Sequence, residues 1–296
     1  MYKLPEIRGE YRYNFNLAPI TWFKVGGCAE IFFKPLDIED LQFFLKNVDK
    51  SIPITILGNC SNVIIRDGGI VGVVIKLSRN FAKIELEDGN FIFAGCGALN
   101  SSVATFAWQN SMKNLEFLIG IPGSIGGGIR MNAGSYGSEF KDVLMKFRAL
   151  DKLGNIIEFR TEDVNFSYRN CDLPEDLIFI DAVFRLTLDD DANIKNRMEQ
   201  INEQRSAAQP IKEKTGGSTF ANPEGMKAWK LIDKAGLRGY SIGGAAFSEK
   251  HCNFMLNVSD ATAKDLEDLG EVAIKKVKDL SDIDLKWEIK RIGKYE

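Results

Sequence analysis

Apolar positions along the chain fall into short runs broken by polar turns. From Thr21 onward AEIFFKP reads as a strand, and Asp37 stands as the N-cap of a helix whose Leu41, Phe44, Leu45 and Val48 share one face. PITILG and NVIIRDGG follow as strands around the polar loop Gly58-Asn59-Cys60-Ser61-Asn62, and IVGVVIKL extends the pattern. Residues from about 20 to 80 therefore predict a small α+β unit.

The rhythm then changes to hairpins. FAKIELEDGNFIFAG carries an Asp-Gly turn between two alternating segments, and Asp151-Lys152-Leu153-Gly154-Asn155 separates KFRAL from IIEFR in the same way. A helix from about Leu99 to Met112 lies between these hairpins and leads into GIPGSIGGGIRMNAG, residues 120–134. LIFIDAVFRLTL closes a mainly β unit over about 81–190. After Asp189-Asp190-Asp191 the pattern turns helical, with Ile194, Met198 and Ile201 on one side of ANIKNRMEQINEQRSAAQ. The shift places a domain boundary near residue 190. Beyond it come the second glycine cluster KTGGSTFANP, a helix GMKAWKLIDKAG, a strand FMLNVS, a long amphipathic helix ATAKDLEDLGEVAIKKVKDL and a terminal strand IDLKWEIKRI. The pattern predicts an α+β chain: a portion 1–190 followed by a domain 191–296.

Composition removes several function classes. The 296 residues are 45% hydrophobic and 27% charged, an ordinary globular balance. A net charge of -3 argues against binding the phosphate backbone of nucleic acid, which calls for a basic surface. No apolar run approaches the roughly 18 residues of a membrane-spanning helix. The opening MYKLPEIRGEYRYN has neither an apolar signal core nor an Arg-rich transit pattern, so a cytoplasmic protein is expected. Five cysteines without a CxxC pair predict reduced thiols. His251 is the single histidine, which excludes metal sites built on several imidazoles, and no metal is expected.

Chemistry concentrates in the loops. The stretch 120–134 matches neither GxGxxG nor GxxxxGK[ST]. Its glycines suit an anion-binding nest of backbone N–H groups or, equally, a long turn. Ser61 and Asn62 add donors in the upstream loop, although both residue types also favour plain turns. Arg169, in FSYRNC, offers a planar fork for a carboxylate or phosphate, against the commoner fate of a solvated surface arginine. Ser218 lies beside Gly216 and Gly217, open to a ligand, though loop serines are mostly structural. Glu288 alternates onto a polar strand face with Asp284, Lys286 and Lys290, a pattern that by itself reads as solvent exposure.

Taken together and in order, TWFKVGG, LGNCSNVIIRDGG, GIPGSIGGGIRMNAGSYG, FSYRNC, KTGGSTFANP, KAWKLIDKAGLRGYSIGGAAFSEKHCNFMLN and LKWEIKRIG resemble one family, the UDP-N-acetylenolpyruvoylglucosamine reductases of bacterial peptidoglycan precursor synthesis. The pieces run from about residue 20 to 293. The resemblance implies an FAD-binding portion of the vanillyl-alcohol oxidase (PCMH) type in two subdomains, about 20–80 and 81–190, and a C-terminal UDP-sugar domain. It implies FAD, non-covalently held, along Gly58, Asn59, Ser61 and Asn62 and along Ile121, Pro122, Gly123, Ser124, Ile125, Gly126, Gly127, Asn132, Ala133 and Gly134. Arg169, Ser218 and Glu288 fall on the family's catalytic positions, and Tyr168, Asn222, Lys250 and His251 on its substrate contacts. NADPH is the implied hydride donor, and the chain is expected to act as a monomer or to associate weakly.

The chain departs from the family at two positions. Cys60 replaces the second glycine of the usual Leu-Gly-x-Gly-Ser-Asn loop, and Ala221 stands where many members carry lysine. It resembles the shorter form, without the tyrosine-bearing segment. Two other readings fit parts of the pattern: an FAD-dependent alcohol or sugar oxidase of the same superfamily, and a nucleotide-sugar binding protein without turnover.

Overall fold

The computed structural model describes residues 2–77 and 79–295. In chain order the main elements are β1 (Glu10–Asn16), β2 (Cys28–Lys34), α1 (Ile38–Asn47), β3 (Ile54–Leu57), β4 (Val63–Ile65), β5 (Ile70–Lys76), β6 (Ile84–Glu87), β7 (Phe91–Gly95), α2 (Asn100–Gln109) and α3 (Ile125–Arg130). They continue as β8 (Leu144–Leu150), β9 (Ile156–Arg160), β10 (Ile178–Arg185), α4 (Asp191–Ala208), α5 (Ala228–Lys234), β11 (Ser241–Ile242), β12 (Ala245–Phe247), β13 (Met255–Asn257), α6 (Ala263–Ser281) and β14 (Lys290–Ile292).

Two compact units emerge, one from Met1–Tyr13, Ile31–Asn59 and Gly72–Gln204, the other from Asn14–Glu30, Cys60–Val71 and Arg205–Glu296. The later break falls inside α4 rather than at residue 190, and the segments 14–30 and 60–71 count with the C-terminal unit rather than with 20–80.

In the first unit a four-stranded sheet has the order β1-β2-β5-β3, with β3 and β5 parallel. The Asp37 carboxylate accepts the Asp40 N–H at 2.8 Å and starts α1 as the pattern predicts. Leu41, Phe44 and Leu45 then drop into a cluster with Phe33, Val73 and Ile75, the Phe33 and Phe44 rings 4.6 Å apart. Each such fully buried side chain contributes about 1.5–3 kcal/mol. A second sheet, β9-β8-β10-β7-β6, includes both predicted hairpins. Its central strand β10 is buried from Ile178 to Phe184. The one carboxylate there, Asp181, is held by Arg148 through two bonds, 3.0 and 2.6 Å. The faces of α2 and α3 complete this core through Val103, Ala107, Ile125 and Ile129.

In the second unit α6 carries a capping box, with Thr262 and Asp265 exchanging 3.0 Å bonds. Its Leu266, Leu269, Ala273 and Val277 pack with Phe220, Phe247 and Ile64. The predicted terminal strand is shorter than expected: only Lys290–Ile292 is regular, parallel to Val63–Ile65, and Trp287 forms a single bridge to Phe220. The reason lies in packing. Trp287 lies so close to Gly270 of α6 that a Cβ there would come within 2.1 Å of the indole, and Leu285 and Ile289 are buried in the same core. Those contacts hold residues 283–289 against α6, and their backbone pairing is limited to a short antiparallel stretch with 219–221, where the Ala221 N–H donates to Lys286 at 2.9 Å and the Glu288 N–H to Thr219 at 2.8 Å.

Candidate active site

In the first unit, residues 120–134 follow a short 3-10 helix, Glu116–Gly120, and pass through a turn into α3. The Ile125 and Gly126 N–H groups donate to Ala98 and Cys96 carbonyls at 2.9 and 3.0 Å. The Asn100 backbone N–H donates to Gly123 at 3.1 Å and its side-chain amide to Ile121 at 3.2 Å. These four bonds staple the turn to the end of β7 and the start of α2. Two amides of the expected nest are thereby spent, and those of Gly123, Ser124 and Gly127 have no backbone partner among the described residues.

The three consecutive glycines serve different ends. A Cβ on Gly126 would press on Cys96 at 3.2 Å, and one on Gly128 would enter the Phe140 ring at 2.1 Å. Gly127 is exposed, and a Cβ there would meet only the Ser124 hydroxyl, at 3.8 Å. Gly58, also exposed, would meet only that same hydroxyl, at 3.0 Å. Ser124 is the N-cap residue of α3 yet its side chain makes no capping bond. Gly58 and Gly127 thus bare backbone on both sides of a hydroxyl; at Gly58 that hydroxyl itself crowds a side chain, and at Gly127 no protein atom accounts for its absence. That cradle fits a pyrophosphate.

Tyr168 and Arg169 form the tip of a hairpin, Phe166–Ser167 paired with Asn170–Cys171. Arg169 adopts φ +57, a left-handed conformation that costs a non-glycine residue about 1–2 kcal/mol. Its guanidinium lies 4.9 Å from the Tyr168 ring and donates to the Gly134 carbonyl at 3.1 Å. The candidate arginine therefore touches the last residue of the glycine-rich stretch. Asn132 is fully buried, its side chain bonded to Ser167 and Lys141 backbone. Ala133 packs against the core, its N–H bonded to Gly128. Ile121 and Pro122 are half-buried, and Asn59 likewise.

In the second unit Ser218, Glu288 and the side chain of Asn62 come together around the Glu288 backbone. Ser218 bridges Phe254, the next residue Thr219 receives the Glu288 N–H at 2.8 Å, and the Asn62 amide donates to the Glu288 carbonyl at 3.1 Å. Glu288 is half-buried, not the solvated face its strand pattern suggested. Gly217, at φ +81 with nothing within 4 Å of a Cβ, leaves the approach to Ser218 open. Asn253, which the sequence reading missed, fixes this strand: it exchanges side-chain bonds of 3.0 and 2.8 Å with Phe220 and accepts the Thr219 N–H at 2.7 Å through its carbonyl. Cys60 takes φ +52, supplying by strain what glycine gives freely, and its carbonyl accepts the Trp22 N–H at 3.3 Å. Ser61 beside it is half-buried.

The substrate candidates are partly engaged. Asn222 caps α5 by accepting the Ala228 N–H at 3.0 Å, and Lys250 donates to the Ser206 carbonyl at 2.5 Å. His251 sits among Trp229 and Phe254, ring centroids 6.1 and 4.8 Å away, and accepts the Asn253 N–H on Nδ1 at 3.3 Å. Burial pushes its pKa down, and the Arg238 cation acts in the same direction. Among the described residues no helix is long and apolar enough to cross a membrane.

A model of the FAD binding domain matches residues 29–160, which makes this α+β chain a flavin-binding protein. A model of the C-terminal domain of UDP-N-acetylenolpyruvoylglucosamine reductase matches 209–292. The reductases of Rickettsia felis and Rickettsia akari are each 58% identical over 292 residues, 99% of both chains. The crystal structure of the reductase from Thermus caldophilus superimposes with a TM-score of 0.84 at 30% identity, covering 97% of this chain and 100% of that one. The chain belongs to the UDP-N-acetylenolpyruvoylglucosamine reductase family.

Proposed function

We propose that this protein reduces the enolpyruvyl ether of UDP-N-acetylenolpyruvoylglucosamine to UDP-N-acetylmuramate, with NADPH as donor and non-covalently bound FAD as carrier. The observation that supports the reading is the 3.1 Å bond from Arg169 to the Gly134 carbonyl, which ties the proposed carboxylate clamp to the end of the glycine-rich stretch. The setting is the cytoplasm, where peptidoglycan precursors are made, and the chain works as a monomer or a weakly associating one.

Gly58, Asn59, Ser61, Asn62 and the turn 121–127 would hold the flavin, with Gly58, Ser124 and Gly127 at its pyrophosphate. Bound there, FAD would supply hydride transfer from NADPH to the methylene carbon of the substrate. Charge then develops on the adjacent carbon and into the carboxylate. Arg169 binds that carboxylate and stabilises the developing charge. Ser218 gives its proton to the carbanionic carbon, which is basic enough to take it from a neutral hydroxyl. Glu288 orients the proton donor. Tyr168, Asn222, Lys250 and His251 contact the UDP-sugar.

Anaerobic half-reactions test this. Ser218→Ala should still bleach its flavin absorbance on addition of NADPH and fail to recover it with the enolpyruvyl UDP-sugar. Equal loss of both steps would remove Ser218 as proton donor, and a wild-type flavin that regains colour only with oxygen would make the protein an oxidase.

A further inference from the structure

Where the chain leaves α3, between Arg130 and Gly134, its polar groups turn toward the hairpin that carries Arg169 and the segment that follows it. Asn132 is 0% exposed and holds φ +38. Its amide donates to the Ser167 carbonyl at 3.1 Å, and its oxygen accepts the Lys141 N–H at 3.1 Å. Asparagine tolerates the left-handed region because its short side chain can bond its own local backbone. Here the partners are instead 35 and 9 residues away, so the conformation serves a tertiary contact.

Arg130 does the same on the far side of the hairpin. Its two terminal nitrogens donate to the Leu173 and Leu177 carbonyls at 3.0 and 3.1 Å, with the guanidinium 4.4 Å from the Phe179 ring. The backbone is therefore tethered before Arg169, at Ser167, and after it, at Leu173 and Leu177. Arg169 closes the circuit through its own bond to Gly134.

We infer that Asn132 and Arg130 are positioning residues for Arg169, holding its turn in the left-handed geometry and registering it against the flavin cradle. This rests on the reading of Arg169 as the carboxylate clamp, and it moves Asn132 out of the group expected to touch FAD. A fully buried amide with backbone partners at both ends is placed to hold the hairpin, not to meet a ligand.

The test uses the holoenzyme. Asn132→Gly removes the amide while accepting φ +38 without strain, and Arg130→Lys keeps the cation but loses the fork. Both variants should retain flavin, read from the absorbance ratio. Reoxidation by the enolpyruvyl UDP-sugar should slow about 10–100-fold relative to bleaching by NADPH, the scale of a misplaced binding group. Placed on Arg169→Lys, the same substitutions should add little further loss, because residues acting through one group are non-additive. A general structural lesion would instead multiply the losses, and that result overturns the inference. Loss of flavin, or equal slowing of both half-reactions, returns Asn132 to the cofactor site and also overturns it. If Arg169→Lys slows reoxidation but Asn132→Gly does not, the tether alone fails. If Arg169→Lys reoxidises at the wild-type rate, the clamp reading fails with it.

Discussion

Gly127 and Gly128 are chemically identical neighbours with opposite reasons for being glycine. At Gly127 a side chain would project into open space beside the Ser124 hydroxyl, whereas at Gly128 it would enter Phe140. Gly127→Ala should leave the apoprotein as stable or raise it by up to about 1 kcal/mol, since alanine is the better helix former. FAD affinity should fall at least about tenfold, or 1.4 kcal/mol. Gly128→Ala should lower stability outright. Thermal unfolding of both apoproteins with a flavin titration separates the cases, and undiminished FAD binding by Gly127→Ala would show that the cradle lies elsewhere. The sequence displayed the glycines as one cluster because composition carries no record of what faces each Cα. For the same reason Arg130, Asn132, Asn100 and Asn253 could not be read as structural: their partners lie far away in the chain. Arg169, Ser218 and Glu288 stood out only through the family resemblance, because no spacing rule links residues from separate loops.

Elements with local determinants were legible, and those made by distant pairing were not. The Asp37 cap, the face of α1 and the two hairpins all follow from residues within a few positions of one another. β1 was missed because EYRYNFN is mostly polar and largely exposed. The segment 60–71 looked like part of the first α+β unit, but β4 pairs in parallel with β14, more than two hundred residues downstream by their numbers. Asp67 strengthens that attachment by accepting the Ala263 and Lys264 N–H groups, both at 3.0 Å, at the N-terminus of α6. Two otherwise unpaired amides and the helix dipole meet one carboxylate. Asp67→Ala should therefore cost about 1–2 kcal/mol, measured by urea unfolding, and Asp67→Asn less, since the amide oxygen still accepts. A loss within a few tenths of a kcal/mol for Asp67→Ala would mean that the Thr262–Asp265 capping box alone secures the helix start.

At the scale of the whole molecule, apolar burial is divided among separate cores: two clusters in the first unit, around Phe44 and around Phe147, and one in the second, around Phe247 and Leu269. A ligand stabilises the native state by what it binds, about 2.7 kcal/mol at a free concentration one hundred times its Kd. That gain is expressed first in the backbone it orders. FAD seated on Gly58, Ser124 and Gly127 should therefore slow amide exchange most at 123–127. The effect should pass to 166–171 through Asn132 and Arg169, whose bonds join that hairpin to the cradle's end. α6, built on the second unit's core, should exchange at the same rate with and without FAD. Exchange measured by mass spectrometry on apoprotein and holoprotein decides the matter. Protection centred on α6, or absent from 123–127, would remove the cradle from the glycine-rich turn. Protection at 123–127 that stops short of 166–171 would leave the cradle in place and break the link from the flavin to Arg169.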